Sequence, residues 1–243
     1  MNLTELQTHI EDTIVNNNFK KIGISISGGM DSSILLYVLC NVLSKNQELL
    51  NSVQIVPITG IGDTRIEIVD SVMDFVKAAF PLVQFYDHQI FKYHDDFRVK
   101  WAKYHVPFHT SLYKDNVIDV FIHAGTRNMP ADELDKIDFN RKSMDANRSL
   151  DENTVIAPIS FRNNTLYNAA EGYKQWNIFM NYTKKLTAGL YDELNLHDSL
   201  AKLTWSCTAR SLDDAYNAET KQLGVPCGRC YWCAEKKWAV GYF

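Results

Sequence analysis

Apolar positions along the chain form short continuous runs that alternate with helix-spaced repeats. Leu3, Leu6, Ile10 and Ile14 are spaced as on one face of a helix, so residues 1–18 are predicted to form an amphipathic helix. Further helices are predicted at 34–44 and 65–80, and strands at 21–26, 52–59, 82–86, 117–123 and 154–159. This strand-helix order predicts an α/β fold with a doubly wound parallel sheet, in which ligands bind at the carboxyl ends of the strands.

Two stretches show little periodicity. Residues 132–151 are rich in charged residues and asparagine, which indicates either a surface insertion or a mobile lid. Residues 160–181 are rich in aromatic residues and asparagine. Our first interpretation of that second stretch is a helical hairpin packed on the sheet, and the alternative is a base-stacking surface.

The bulk properties narrow the classes of partner. The chain has 243 residues, 46% of them hydrophobic, and a formal net charge of -4, which gives no general nucleic-acid footprint and favours a small-molecule substrate over RNA. No apolar run approaches the roughly 20 residues that span a bilayer. The acidic N-terminal helix is unlike a signal or transit peptide, so we expect a cytoplasmic protein.

The segment after the first strand has the features of a phosphate-binding loop. Gly28 and Gly29 permit a sharp turn close to a ligand, and the helix that follows directs unpaired N–H groups at the same place. Ser27 and Ser32 add hydroxyl donors, and Asp31 is a carboxylate suited to magnesium. The lysine of the Walker loop is missing. An ordinary helix cap is the alternative, but a cap needs only one of these residues.

Cysteine is concentrated near the end of the chain. Cys40 lies among apolar residues and is predicted to be an inert core residue. The other four are Cys207, Cys227, Cys230 and Cys233, which is the ligand set of a closed tetrahedral zinc site with a structural role. Two disulfides and a thioredoxin-like redox pair are the alternatives.

Two motifs resemble known families. The string Ser27 to Ser32 resembles the SGGxDS loop of the N-type ATP pyrophosphatases, the PP-loop superfamily. Trp205-Ser206-Cys207, together with the cysteine-rich segment 227–240, resembles the tail of the QueC family of 7-cyano-7-deazaguanine synthases, and Thr183-Lys184 matches a Thr-Lys pair of that family. The resemblance implies a Rossmann-like, adenine nucleotide alpha hydrolase-like domain at 1–182 and a helical zinc-binding module at 183–243.

The resemblance also implies a reaction. The enzyme would adenylate 7-carboxy-7-deazaguanine with ATP and Mg²⁺ and convert it with ammonia, through an amide, to a nitrile, as part of queuosine biosynthesis. The implied catalytic residues are Asp31, Ser32 and Lys184. The implied ATP-binding residues are Ser25, Ile26, Ser27, Gly28, Gly29, Met30, Asp31, Ser32, Ser33 and Asn128. Zn²⁺ would be held by the four clustered cysteines. The expected partners are then a 7-deazaguanine or related carboxylate and ammonia, and no membrane association is expected. A homodimer is one arrangement that the sequence allows.

The middle of the chain departs from the QueC pattern. Where the family carries a Tyr-Gly-Gln string and an Asn-x-x-Asp string followed by Tyr-Pro-Asp-Cys-Arg, this chain has Thr59-Gly60-Ile61 and a segment in which only Asn128 and Asp132 keep the spacing. Lys236 stands in place of the family's arginine. The alternatives are an enzyme of the same fold that adenylates another acceptor, such as a tRNA base or a protein carboxylate, and a non-catalytic nucleotide-binding protein.

Overall fold

The computed structural model describes most of the chain. The described residues are 1–61, 66–93, 101–139, 173–207 and 226–242, with the backbone alone at 101–102, 167–168, 216–217 and 222–223. The predicted strand at 154–159 and most of the predicted insertion at 132–151 lie outside them. In the described part of that insertion, a short helix ends at Leu134.

The strands form a largely parallel sheet, as predicted. They are β1 (Lys21–Ser25), β2 (Gln54–Ile61), β3 (Gln84–Phe85), β4 (Gln89–Lys92), β5 (Val120–His123), β6 (Tyr167–Asn168) and β7 (Lys174–Asn177). Their order is β3-β2-β1-β5-β7-β6, with β4 paired to the later part of β2, and among the described strands of this sheet β6 alone runs antiparallel to its neighbour. A separate antiparallel pair joins β8 (Tyr216–Asn217) to β9 (Gln222–Leu223).

The helices lie close to their predicted positions where the apolar spacing is regular. They are α1 (Leu3–Asn17), α2 (Met30–Lys45), α3 (Gln47–Ser52), α4 (Ile66–Ala79), α5 (Val106–Lys114), preceded by a π-helical turn (Trp101–His105), α6 (Ala131–Leu134), α7 (Lys184–Glu193), α8 (Leu200–Leu203) and α9 (Tyr231–Val240). In the part of the chain that the structure describes, no helix is long and apolar enough to cross a membrane.

Helices cover both faces of the sheet. On one face, Ile24 of β1 and Ile122 of β5 share a buried cluster with Leu35 of α2 and with residues of α1, α4 and α7. On the other face, Phe121 of β5 packs in a cluster with Leu112 of α5. Because neighbouring strand residues point to opposite faces, Phe121 and Ile122 belong to different layers. This arrangement confirms the doubly wound architecture.

The direction in which the chain adds strands to the sheet reverses between β1 and β5. From β1 it passes through α2 to β2 and the strands beyond, and it then returns to place β5 on the other side of β1. The crevice at such a switch point, outside the carboxyl ends of the strands, is where open α/β sheets bind ligands. The loop 26–29 follows β1 and the turn 124–128 follows β5, so both predicted nucleotide-contacting segments lie at this crevice.

Several predicted elements need correction. Helix α2 begins at Met30 instead of Ile34, because the polar side chains of its first turn hide the helical period from the sequence pattern. The predicted strand 52–59 begins later, since Asn46 caps the unpredicted short helix α3. The predicted strand 82–86 is only two residues long, and β4 next to it was missed because both lie at the exposed edge of the sheet.

The predicted helical hairpin at 160–181 is wrong in its described part. Residues 174–177 form β7, which pairs in parallel with β5 and extends the sheet. Tyr173, Trp176 and Phe179 are buried in the hydrophobic clusters, so these three rings are packed in the core and do not form a base-stacking surface. Their closely spaced aromatic positions were consistent with a helix, but long-range pairing with β5 determined the structure.

Candidate nucleotide and metal site

The loop between β1 and α2 is a tight turn that requires glycine. Gly28 has a φ of 69°, and a Cβ atom there would lie 2.8 Å from Cγ2 of Ile68. Ile26, just before it, is fixed to the sheet: its N–H donates to the Ile58 carbonyl at 2.8 Å, and its own carbonyl accepts from Thr59 Oγ1 at 2.8 Å. The loop therefore leaves the sheet from a rigid point.

The loop serines bond to one another and to the loop backbone. Oγ of Ser32 lies 3.1 Å from Oγ of Ser27 and 3.2 Å from the Gly29 carbonyl, and the Gly29 N–H donates to Ser27 Oγ at 3.3 Å. The Ser33 hydroxyl is fully buried and donates to the Gly29 carbonyl at 2.8 Å, and the Met30 side chain is also buried. The hydroxyl of Ser27 is exposed at the loop, whereas Met30 and Ser33 contribute packing.

The Asp31 carboxylate is the meeting point of three segments. Lys184 Nζ, from α7, donates to its Oδ2 at 2.7 Å, and Thr187 Oγ1, one turn further along α7, donates to its Oδ1 at 2.8 Å. Thr126, in the turn after β5, donates to Oδ2 at 3.3 Å. Asp31 lies in the first turn of α2, so the carboxylate holds the loop, the β5 turn and α7 together at the switch point.

Lys184 is buried among charged groups. Its side chain is only 3% exposed, and its Nζ lies 3.4 Å from Oε2 of Glu235, which is itself 0% exposed on α9. That approach is an ion-pair contact without hydrogen-bond geometry, unlike the shorter contact with Asp31. Thr183, the N-cap residue of α7, forms a parallel bridge with Arg127. The backbone around Lys184 is thus anchored to the β5 turn.

The sequence analysis missed three of the residues at this centre. Thr187 lies three positions after Lys184, and that spacing puts both on one side of a helix, which is a usable signal. Thr126 belongs to the polar turn predicted to face the loop, but it was not singled out. Glu235 gave a weaker signal, a lone acidic residue between Cys233 and Lys236 in a helix whose other buried residues are mostly apolar.

Asn128 lies on the same turn as Thr126 and is 9% exposed. The next residue, Met129, donates its N–H to the Tyr231 hydroxyl at 3.0 Å, which ties the β5 turn to α9. A contact between Asn128 and a nucleotide stays a prediction. Arg127, which lies between Thr126 and Asn128 in this turn, is the residue bridged to Thr183.

The four cysteines come together as predicted. The Sγ atoms of Cys207, Cys227, Cys230 and Cys233 all lie within 4.8 Å of one another, and those of Cys227 and Cys233 are 4.0 Å apart. Sulfurs about 2.3 Å from a tetrahedral zinc ion are about 3.8 Å apart, so this spacing fits a single ion. All are free thiols, as is the buried Cys40, in contrast to the disulfides considered from the sequence.

Hydrogen bonds within the cysteine cluster shift the pKa values of its thiols in opposite directions. Hydrogen bonds with Cys207, Cys230 and Cys233 hold the pKa of Cys227 far below its usual value, whereas those with Cys207, Cys227 and Cys230 raise the pKa of Cys233. A cation bound among thiolates removes this competition, because it stabilises all of them together. The site is therefore suited to a divalent metal.

The cysteine region contacts the loop between β1 and α2 directly. The N–H of Trp205 donates to the carbonyl of Gly28 at 2.8 Å. Lys236, on α9, donates to both the carbonyl and the hydroxyl of Thr204 at 3.2 Å and so fixes the segment that carries Trp205. Burial, and then the charge of Lys184, lower the pKa of Lys236 to about 8. The metal-ligating segment and the loop are thus parts of one structure.

Comparison with known proteins supports the fold and goes no further. No protein-family model matches the sequence, and no curated protein is significantly similar to it. The structure is similar to U34-tRNA thiolase NcsA from Methanococcus maripaludis with its [4Fe-4S] cluster, with a TM-score of 0.50 and 12% identity. That match covers 79% of this chain but only 63% of the thiolase chain.

A second solved structure is also similar. It is the NH3-dependent NAD synthetase from Campylobacter jejuni in complex with the nitrate ion, with a TM-score of 0.46 and 13% identity over 82% of this chain and 75% of the synthetase chain. The likeness to the thiolase defines the class of fold. This chain has the Rossmann-like α/β fold of the PP-loop proteins.

Proposed function

We propose that the protein is an ATP-dependent ligase that cleaves ATP between its α and β phosphates and adenylates an acceptor. The observation that carries this proposal is the convergence at the switch point: the Ser27 to Gly29 loop, the N-terminus of α2, Asp31 and the buried cation Lys184. Together they offer N–H groups, hydroxyls and one positive charge to a single place.

The proposed role of these groups is electrostatic. Attack on the α phosphorus builds negative charge on the departing pyrophosphate, and donors that are already in place stabilise that charge as it develops. Loop N–H groups, with the hydroxyls of Ser27 and Ser32, would bind the phosphate oxygens at the start of α2. Lys184 would add a positive charge on the side of α7.

Asp31 is the residue that would hold magnesium. Its carboxylate offers oxygen ligands of the kind Mg²⁺ prefers, and its side chain is 15% exposed. Three hydrogen bonds occupy three of the about four lone-pair positions of this carboxylate, so an ion would bind beside Thr126, Thr187 and Lys184 or displace one of them. Bound magnesium would neutralise part of the charge on the phosphates.

We propose 7-carboxy-7-deazaguanine as the acceptor. Its carboxylate oxygen would attack the α phosphorus and release pyrophosphate, and ammonia would then displace AMP from the acyl adenylate to give the amide. The amide oxygen would then attack the α phosphorus of a second ATP and release a second pyrophosphate, and loss of AMP and the two N–H protons would leave the nitrile. This proposal rests on the likeness of the segment from Trp205 to Val240 to the QueC tail, and the contact between Trp205 and Gly28 supports a role for that tail at the loop.

The metal is proposed to be structural zinc. Cys207, Cys227, Cys230 and Cys233 would hold it, and four thiolates leave no ligand position for water, so the ion stabilises the fold of the 183–243 module and takes no part in the chemistry. Thiols of this kind stay reduced in the cytoplasm, which is the compartment we propose.

A second acceptor class also has an observation in its favour. The turn from Arg127 to Asp132 replaces the string that the QueC family carries at the matching place, and this turn lies beside Asp31 in the crevice. A changed turn at the site predicts a changed acceptor. The second candidate is therefore an enzyme of the same fold that adenylates a tRNA base or a protein carboxylate.

Product analysis separates these candidates. The purified protein, with its metal, is incubated with ATP, Mg²⁺, ammonium and 7-carboxy-7-deazaguanine, and the products are identified by mass spectrometry. The first candidate predicts the nitrile, with the amide accumulating early. AMP release without amide or nitrile would replace it by the second candidate, and parallel incubations with unmodified tRNA would then test that class.

A further inference from the structure

Glu235 is a fully buried acid in the cysteine-bearing helix, and its placement is fixed on both sides. Its Oε1 accepts from the Tyr231 hydroxyl at 3.1 Å, and that hydroxyl in turn accepts the Met129 N–H. Its Oε2 faces Lys184 Nζ at 3.4 Å. Buried acids are rare unless a partner compensates their charge, so this position calls for a physical explanation.

The ammonium of Lys184 lies between two carboxylates. Asp31 makes the short contact, at 2.7 Å, and Glu235 the longer one, at 3.4 Å. Lys236, the nearby cation of α9, is hydrogen-bonded to Thr204. One ammonium is therefore shared by two acids, and in this state it is bonded mainly to Asp31.

Asp31 would be shared between magnesium and Lys184, because its two oxygens already accept hydrogen bonds from Lys184, Thr126 and Thr187 and a bound ion would draw on the same negative charge. If its carboxylate turned to a magnesium ion and Lys184 had no other partner, an ammonium only 3% exposed would be left without a counter-charge, which is strongly unfavourable. Glu235 removes this penalty, because a second carboxylate is already in place less than 1 Å beyond hydrogen-bond distance. A small shift of Nζ would exchange one partner for the other.

We infer that Glu235 is a positioning residue that retains the Lys184 ammonium at the phosphate loop while Asp31 turns to magnesium. The inference rests on the proposed function of the loop. It makes Glu235 the reason why nucleotide-bound metal and Lys184 can occupy the site together, and it places that control on α9, the helix whose N-cap residue is Cys230. Because α9 also carries Cys233, metal occupancy at the cysteines would fix the position of Glu235.

Metal-nucleotide binding tests the inference without turnover. Mn²⁺ replaces Mg²⁺ as an electron paramagnetic resonance probe, and α,β-methylene-ATP replaces ATP because it resists cleavage. Glu235→Gln keeps the shape of the side chain and removes its charge, Glu235→Asp keeps the charge on a shorter chain, and Glu67→Gln is a matched change on the exposed side of α4. Cysteine-bound metal and melting temperature are measured for each variant.

Glu235→Gln should weaken binding of Mn²⁺ with the nucleotide about tenfold, within the usual range for coupled sites. Glu235→Asp should recover part of that loss, and Glu67→Gln should match the wild type. In a Lys184→Met background the Glu235→Gln change should have less than about a twofold effect, because Glu235 acts through the ammonium.

Two results would overturn the inference: wild-type Mn²⁺ affinity in Glu235→Gln, or an equal loss in the Lys184→Met background. If Glu235→Gln loses its cysteine-bound metal, the Mn²⁺ affinity of Glu235→Asp is compared with that of wild type instead. Equal affinities in those two proteins would contradict the inference. A wild-type protein that binds Mn²⁺ and the nucleotide but releases no AMP from ATP would refute the proposed function and leave the role of Glu235 standing.

Discussion

The ammonium of Lys184 lies 2.7 Å from the carboxylate of Asp31, although 153 residues separate the two in sequence. The contact joins the first turn of α2 to the first turn of α7. It places a buried positive charge beside the loop between β1 and α2, and the resemblance to the QueC family had already implied Lys184 as a site residue. Through Glu235 the same ammonium also reaches the helix that begins in the cysteine cluster.

Replacing Asp31 should abolish nucleotide chemistry while preserving the fold. Asp31→Asn keeps the size of the side chain and removes the charge proposed to hold magnesium. We expect AMP release to fall about 100- to 1000-fold, the usual effect of removing one preorganised charge-stabilising group. The rate is measured with saturating Mg²⁺ and ATP. Asp74→Asn, on the exposed face of α4, is the control, and equal rates in the two variants would remove Asp31 from the mechanism.

Replacing Lys184 should destabilise the protein. Lys184→Met leaves Asp31 and the fully buried Glu235 without their cation, and breaking a buried pair in this way costs about 3–5 kcal/mol. Urea unfolding gives the free energy of unfolding. The neighbouring Lys185→Met is the control, because that exposed side chain lies over the Trp238 ring at 4.5 Å and such a contact contributes about 0.5–1 kcal/mol. Similar losses in the two variants would contradict a buried ion pair at Lys184.

The cysteine cluster should bind one metal ion per chain. We expect elemental analysis of protein purified without chelators to find one zinc, and no broad visible absorption of the kind an iron–sulfur cluster gives. Cys230→Ser should lose the ion and lower the melting temperature, because metal binding is linked to folding. Cys40→Ala should keep it. Iron with inorganic sulfide, or no metal at all, would contradict the single-ion site.

Acid should destabilise the protein through His109 and His123, whose pKa values are both lowered in the folded state. Burial, and then the nearby His105, lower the pKa of His123 to about 3, and the same causes, with His123 itself, lower the pKa of His109 well below 6.5. The unfolded chain then binds more protons than the folded one below pH 6.5, so the stabilisation present above that pH is lost as the pH falls toward 3. The loss at pH 5 is about 2 kcal/mol for His123, and His109 adds to it in the same direction.

A variant checks this pH dependence. His109 stacks on Phe121 with 3.6 Å between ring centroids, so His109→Phe keeps a ring in the cluster and removes its proton. The free energy of unfolding, measured by urea at pH 7 and pH 5, should fall less between the two pH values in this variant than in wild type. Tyr173→Phe changes a neighbouring ring without a proton in this range and should behave as wild type. An unchanged pH slope in His109→Phe would assign the acid sensitivity to other groups.

The sequence predicted the elements that local patterns determine. The apolar spacing of α1 and α4, the buried runs of β1, β2 and β5, and the glycine pair at the loop each have a local physical cause, and the structure confirms them. The cysteine cluster was predictable because four cysteines lie close together near the end of the sequence, and few kinds of site other than a metal site use such a set. The boundary at residue 183 and the nucleotide contacts of Asn128 stay predictions.

Long-range contacts explain what the sequence did not predict. The aromatic residues around Trp176 carry no local sign of a strand. They form β7 because this segment pairs with β5. Glu235 looks like a surface acid in sequence, and only the approach of α7 to α9 makes it a partner of Lys184. Both depend on residues that are far apart in the chain, which a reading of local periodicity does not detect.

The central claim is that the loop from Ser27 to Ser32 directs cleavage of ATP between its α and β phosphates. Phosphorus NMR of the products, after incubation of the metal-loaded protein with ATP, Mg²⁺, ammonium and the candidate acceptors, measures this directly. The account predicts AMP and pyrophosphate in equal amounts, with neither formed by Asp31→Asn. Formation of ADP and inorganic phosphate, or equal product formation by wild type and Asp31→Asn, would contradict it.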